Sequence, residues 1–499
     1  MKKFASHFSI KSSFLYLLVL SANFTLYAQD KVDPYAKTQS NEKNSIYPIK
    51  IDPENANVLA SNMGELSKNL AVTNLNYMDL WGSAVKPGLS TVKWILLAPS
   101  DGDYDVDLVV FGDGSEIEMT CNGVTESKTI AGKNWQRINL GRIKLKSGNN
   151  SLMLTVNASD DFRIGSVELT RPSIKAKIEN EAAEQRQDPD WFKNAGYGLM
   201  FQWTNRATPI HGPIKKWEDK VNDFDLDAFI NIAVESGASY ILWSITWGEQ
   251  YISAPIQSLD EIIVERTTQR DLLGEMADRL HEKGIRLIFY YHYGYECYHS
   301  RDMEWLKAVG GLDADKTKLY DNLINIISEI GVRYKDKLDG WWFDGGERYY
   351  NTHFDGSSAA EGISSAPFKE ITQAARAGNS TRIIAYNSWI KPMLTPYQDY
   401  YAGEGFQSYS GLEDGLFKTG NHRGLIAHSC FVLEKNWGHI EQDSPIGSPK
   451  YTLEKLTEMI QFAQSNRYPL SINLEMYEDG SVSPESIQLL RRIKAVVRD

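Results

Sequence analysis

From residue 191 onward, strand-like and helix-like segments alternate eight times, and few folds accommodate that order. The strand candidates are residues 197–203, 238–245, 286–293, 339–344, 382–387, 399–404, 424–433 and 468–474. Helical patterns lie between them. Leu272, Met276 and Leu280 recur every four residues, with Gly284 placed to end that helix, and Leu453, Leu456, Ile460 and Ala463 repeat in the same way. Ser483 as a cap and Pro484 in the first turn start a final helix. Eight such units over residues 191–499 predict an α/β fold, a (β/α)8 TIM-like barrel.

Ahead of the barrel the period changes. Residues 51–175 contain short strand candidates separated by turn residues such as Asp101-Gly102 and Gly148-Asn149-Asn150. Tyr104, Val106, Leu108 and Val110 alternate with Asp105 and Asp107, the pattern of a half-buried strand. A smaller N-terminal β-sandwich is the expectation. The polar stretch 29–50 and the charged stretch 176–190 read as linkers. Residues 1–28 read as a signal peptide: Lys2, Lys3 and Lys11 precede an apolar run from Phe14 to Leu20, and Leu26-Tyr27-Ala28 offers a cleavage site. That run is too short for a convincing membrane span and no comparable segment follows, so a secreted or periplasmic protein without a span is expected.

Removing that segment takes the formal charge from -12 to -15, which argues against nucleic acid as a partner and for a neutral substrate. Cys121, Cys297 and Cys430 are too few and too scattered for a disulfide framework, so stability must come from packing.

Parallel barrels do their chemistry at the C-terminal ends of the strands. The stretch Leu338-Asp-Gly-Trp-Trp-Phe-Asp-Gly-Gly346 drives an apolar strand into Asp344 and two glycines. An acid at such a place also caps helices. Here Trp341 and Trp342 flank it, and flat aromatic faces beside a carboxylate suit a sugar ring. The other strand ends supply Gln202 and Trp203, then Thr246, Trp247 and Glu249, then His292, then Asn387 and Trp389, then Glu404, His428 and Asn473. Asp344 and Glu404, on strands four and six, form the pair of acids that glycoside hydrolysis requires. Asp344 is assigned as nucleophile and Glu404 as general acid/base, with Glu347, Glu249 and Glu434 as fallback acids. Gln202, Trp203, Trp247, Glu249, His292, Asn387, His428 and Trp437 are the candidate substrate-binding residues.

The order and spacing of these segments resemble the α-L-fucosidases of glycoside hydrolase family 29, from Trp191 to about Ser486. In that family a strand ending in Trp-Phe-Asp-Gly presents the nucleophile, which by resemblance falls on Asp344. An Asp-Phe-x-Thr-Pro-Glu segment is similar to Asp399-Tyr-Tyr-Ala-Gly-Glu404. Gln269-Arg-Asp-Leu-Leu273 resembles a Lys-Arg-Asp-Leu run, and Trp437-Gly438-His439 stands where the family has Trp-Gly-Tyr. The departures fall on the residues that would hold a fucose. Thr246-Trp-Gly-Glu-Gln-Tyr251 replaces Lys-His-His-Asp-Gly-Phe, Gln202-Trp203 replaces His-Trp, Ala427-His428 replaces Trp-Glu, and Asn387-Ser-Trp389 lacks the arginine of Asn-Asp-Arg-Trp. Loss of several hydroxyl-binding groups at once implies a changed glycone pocket. The N-terminal sandwich resembles modules that bind carbohydrate beside glycosidase domains, with Trp81, Trp94 and Trp135 as candidate platform residues; a Trp inside an apolar strand, as Trp94 is, otherwise packs inward.

The resulting expectation is an exo-acting, retaining glycoside hydrolase for an oligosaccharide or glycoconjugate, in which Glu404 has a raised pKa and Asp344 stays ionised. The alternatives are a hydrolase for another sugar, α-galactose-type or modified deoxy, and a catalytically silent carbohydrate-binding protein. His292, Glu296, Cys297 and His299 lack clean zinc spacing, and no phosphate loop or dinucleotide fingerprint occurs in context, so neither metal nor cofactor is expected.

Overall fold

A computed structural model of the chain describes residues 37–39, 48–74, 80–84, 86–159, 161–293, 302–311, 313, 316–345, 362–363 and 365–498. The expected signal peptide, Glu296, Cys297, His299 and Glu347 lie outside these residues.

Seven parallel strands make one sheet: Tyr197–Phe201, Tyr240–Ser244, Arg286–His292, Gly340–Asp344, Ile383–Tyr386, Ser429–Val432 and Leu470–Leu474. Going across the sheet, the fifth of these lies at one edge, followed by the fourth, third, second, first and seventh, with the sixth at the other edge. Nearly every residue in them is buried, which is why they read as continuous apolar runs rather than alternating ones. The expected strand 424–433 is paired only over its last part, Ser429–Val432.

The expected strand 399–404 forms no continuous ladder. It spans the two sheet edges instead. The Asp399 amide donates to the Ile384 carbonyl at 2.8 Å, Ile426 to Asp399 at 3.0 Å, Tyr401 to Ile426 at 2.9 Å and Cys430 to Gly403 at 2.8 Å. Isolated parallel bridges pair Tyr400 with Ile426 and Glu404 with Cys430. Gly403, at φ +66°, takes the chain out of the extended region and interrupts regular pairing.

Strand periodicity divides the apolar side chains between two cores. Met200, Tyr240, Leu242, Ile288, Tyr290, Trp342, Ile383, Ala385, Tyr400, Ala402, Ile426 and Cys430 pack together inside the sheet's curve. Alternate residues such as Phe201, Trp243, Phe289, Trp341 and Ile384 belong to the larger core that also takes in the helices. Those helices start where side chains satisfy free amides: Asp225, Asp271 and Thr452 accept from Ala228, Gly274 and Lys455. Gly284, at φ +69°, follows the helix Leu272–Glu282 as its pattern predicts. Ser483 occupies the cap position of the last helix but makes no side-chain cap bond; Pro484 takes the first turn. No described helix is long and apolar enough to cross a membrane.

Among the described residues two mainly antiparallel sheets of seven strands each come almost entirely from the chain before Tyr197. Their inward residues, among them Val92, Trp94 and Leu96 from one sheet and Tyr104, Val106 and Leu108 from the other, share a core. Both stretches expected as linkers carry regular structure. The expected linker 29–50 supplies strands Lys37–Gln39 and Ile49–Lys50, which pair with Leu70–Asn74 and with Leu96 and Leu97 of the strand Gly88–Ala98. The expected linker 176–190 is mostly helix, Pro172–Gln185. Its charges are tied on both sides: Lys175 pairs with Asp107 at 2.5 Å, and Glu181 accepts from Lys369 at 2.9 Å and Tyr397 at 3.0 Å. A short strand after the Asp344 loop, Gly362–Ile363, joins Ile49–Lys50 in the sandwich sheet.

Candidate active site

Register delivers Asp344 to the end of its strand opposite His292, and the Asn387 amide continues the ladder by donating to the Phe343 carbonyl at 2.8 Å. Asn387 is thereby fixed beside Asp344. Its Nδ2 donates to Asp344 Oδ1 at 3.0 Å and to Glu404 Oε2 at 2.7 Å. Its Oδ1 accepts from the Trp389 amide at 2.9 Å, which orients the side-chain amide with its NH2 toward the acids. One nitrogen touching both carboxylates holds the two nearest oxygens no farther apart than those bonds laid end to end. The second oxygen of Asp344 accepts from the Tyr290 hydroxyl at 2.5 Å.

Glu404 reaches this point because Asp399 anchors the segment behind it. The buried Asp399 carboxylate accepts from the Arg376 guanidinium at 2.8 and 2.7 Å, from the Gln187 amide at 2.7 Å and from the Ile384 amide at 2.8 Å. Burial pushes its pKa up against these donors. Below both acids lies the apolar inner core, with Tyr290 stacked on Trp342 at 5.1 Å. The Cys430 thiol in that floor is held far above its ordinary range, by burial first and then by the charges of Glu404 and Asp344.

Other predicted residues gather on the rim. Gly438 sits so tightly that a Cβ there would stand 2.8 Å from the Gln202 carbonyl and 3.1 Å from the Trp247 ring. Gln202 accepts from Ser244, and Asn473 Nδ2 donates to the Trp437 carbonyl at 2.8 Å. Glu249 accepts from Asn205, and the Thr246 hydroxyl donates to the His292 carbonyl at 2.7 Å. His292 itself is buried and stacked on Tyr293.

Several expectations place differently. Trp341 faces the helices, donating to the Ala375 carbonyl, and Trp342 lies in the floor donating to the Ala402 carbonyl, so neither offers a face to a sugar. Strand alternation puts them on opposite sides, and both are already packed. Trp203 is core: it packs edge-on and tilted among Trp217, Phe224 and Trp243 and donates to the carbonyls of Tyr477 and Glu478. His428 is sealed in the floor between the Ala402 carbonyl at 2.8 Å and Ser471 Oγ at 2.9 Å, and burial pushes its pKa down to about 4. Glu434 has the raised pKa of a general acid, about 7 through burial, yet both its oxygens are engaged, by Ser486 and by the Glu475 amide. Glu404, the assigned acid, shares the Asn387 donor with Asp344, whereas the fallback Glu249 accepts from Asn205. In the sandwich, Trp94 is fully buried and donates to the Ala60 carbonyl at 3.0 Å, Trp135 is covered by a barrel loop, and the Trp81 side chain lies outside the described residues.

The sequence reading missed Tyr290. Its signal was available, since it lies two residues before His292 and so shares the face of that strand end.

A family model described as Alpha-L-fucosidase matches residues 179–498. No curated protein matches the chain. Similar solved structures include an alpha-L-fucosidase from Lactobacillus casei in complex with alpha-L-fucose product, at 15% identity and TM-score 0.43, covering 61% of this chain and 96% of that one. A GH29 alpha-L-fucosidase from Bacteroides thetaiotaomicron gives 17%, 0.44, 63% and 74% in the same order. Alpha-L-fucosidase isoenzyme 1 from Paenibacillus thiaminolyticus gives 16%, 0.45, 64% and 76%. At these values the structural likeness is distant.

Proposed function

We propose, because the chain belongs to the alpha-L-fucosidase family and is therefore a glycoside hydrolase acting on a glycan, that it cleaves terminal α-linked fucose-like residues with retention. In this reading the sheet and the 399–404 segment close an eight-unit barrel, and the protein is exported. Asp344 attacks the anomeric carbon while Glu404 gives its proton to the departing glycosidic oxygen. Water then attacks the same carbon, Glu404 takes its proton, and the bond to Asp344 breaks.

The observation that carries this is the shared donor, Asn387 Nδ2, at 3.0 and 2.7 Å from the two acids. It supports a spacing near the roughly 5–5.5 Å of retaining enzymes and short of the roughly 6.5–9.5 Å that inversion needs to admit water. The glycone pocket is altered. Where the family resemblance expects paired histidines after the second strand, this chain has Trp247 and Gly248, so a sugar differing from fucose at one or more hydroxyls is the preferred substrate.

The test is a panel of aryl α-glycosides followed by a 2-fluoro analogue of the best substrate. A glycosyl adduct on the Asp344 peptide, with product of retained configuration, is expected. An inverted product, or an adduct on another acid, would sink the assignment.

A further inference from the structure

Trp135, offered by the sequence as a sugar platform, is 4% exposed and packs with Val109 and Phe111 against Trp389 and Ile390 of the barrel. Its ring also lies 5.4 Å beneath the Lys391 ammonium. Neighbouring bonds close the same contact. Asn421 Nδ2 donates to the Trp135 carbonyl at 2.6 Å, the Arg137 amide donates to Asn421 Oδ1 at 3.3 Å, and the Arg137 guanidinium, paired with Glu168, donates to the Met393 carbonyl at 2.8 Å.

The loop so gripped, residues 388–393, begins directly after Asn387. Trp389 holds φ +48°, a left-handed conformation that a bulky residue keeps only where neighbours impose it. Two bonds depend on that conformation: the Trp389 amide donates to Asn387 Oδ1 at 2.9 Å, and its carbonyl accepts from the Tyr401 hydroxyl at 2.6 Å. The first aims Asn387 at both acids. The second ties the loop to the segment that ends in Glu404.

We infer that Trp135 is a positioning residue: the N-terminal sandwich serves the reaction by clamping the strained Trp389 loop, which sets the amide of Asn387 between Asp344 and Glu404. The inference extends the proposed function, and the pairing of Gly362–Ile363 with Ile49–Lys50 shows the sandwich gripping the chain beyond Asp344 as well.

The experiment compares the full-length native protein with Trp135→Ala and Trp135→Phe. Backbone hydrogen exchange over residues 387–391 is read alongside kcat and KM on the best aryl glycoside. Trp135→Ala is expected to speed exchange in that loop, leave the strand Tyr197–Phe201 unchanged, and lower kcat on the order of tenfold to a hundredfold with KM little altered. Trp135→Phe, which keeps most of the contact, should restore most of kcat. If Trp135→Ala does not fold, Asn421→Ala, which removes the bonds to the Trp135 carbonyl and from the Arg137 amide while leaving the Trp135 ring in place, is read in its place and should show the same pattern. Unchanged loop exchange in the folded variant overturns the inference, as does unchanged kcat. A native protein silent on every glycoside refutes the functional reading alone, because the exchange comparison still decides whether the sandwich clamps the loop.

Discussion

Asn387 is the residue on which the two acids depend. A fixed N–H that bonds to both side chains keeps the two acids aimed at the same space. Asn387→Ala removes the donor without touching either acid. Loss of one such preorganised hydrogen bond is expected to lower kcat by about 10²–10³. Steady-state kinetics checks this, and a variant within twofold of native would show that the acids hold their places unaided.

At the scale of the element, the 399–404 segment does the work of a strand without being one. Asp399 secures one end by four hydrogen bonds from three donors, and the other end passes so close to the neighbouring segment that a Cβ on Gly403 would run into the His428 carbonyl. Only glycine fits, both for that approach and for φ +66°. Gly403→Ala is therefore expected to cost about 2 kcal/mol or more and to displace Glu404, lowering stability and kcat together. Chemical denaturation and kinetics on the same preparation test it; a stable, active variant would mean that the segment shifts freely.

At the scale of the whole molecule, buried groups push the pH range of the fold in opposite directions, and His428 and Glu434 are one of each kind. His428, held at about 4 against an ordinary 6.5, stays neutral when folded, so its contribution is intact above pH 6.5 and is lost as pH falls toward 4. That shift corresponds to a loss of about 3 kcal/mol at the acid end. Glu434, raised to about 7 from 4.5, contributes fully below pH 4.5, and that contribution is lost as pH rises through 7. Tm is expected to fall on both sides. Glu434→Gln should reduce the change between pH 4.5 and 7, and His428→Asn should reduce the acid-side fall, leaving the part that the buried His422 contributes. A Tm profile identical to native in both variants would contradict the assignment.

The alternation of periods and the acid at the end of Gly340–Asp344 were legible in the chain because each is a local pattern, strand and helix period and a glycine stop, while the five-residue step from Asp399 to Glu404 was legible through the family resemblance. Those patterns determined the parallel sheet and named both carboxylates. What they left open depended on partners distant in sequence. Trp203 and Trp341 carry the same side chain as Trp247, and only packing on opposite faces of strands sent the first two into the core. Glu434 and Glu404 look alike as acids, and only the neighbours supplied by the fold, Ser486 and Glu475 for one and Asn387 for the other, separate them. The sandwich was visible as alternating strands, yet the use of Trp135 could not be read there, because the loop it covers lies more than 250 residues further along the chain and is brought to it by tertiary structure alone.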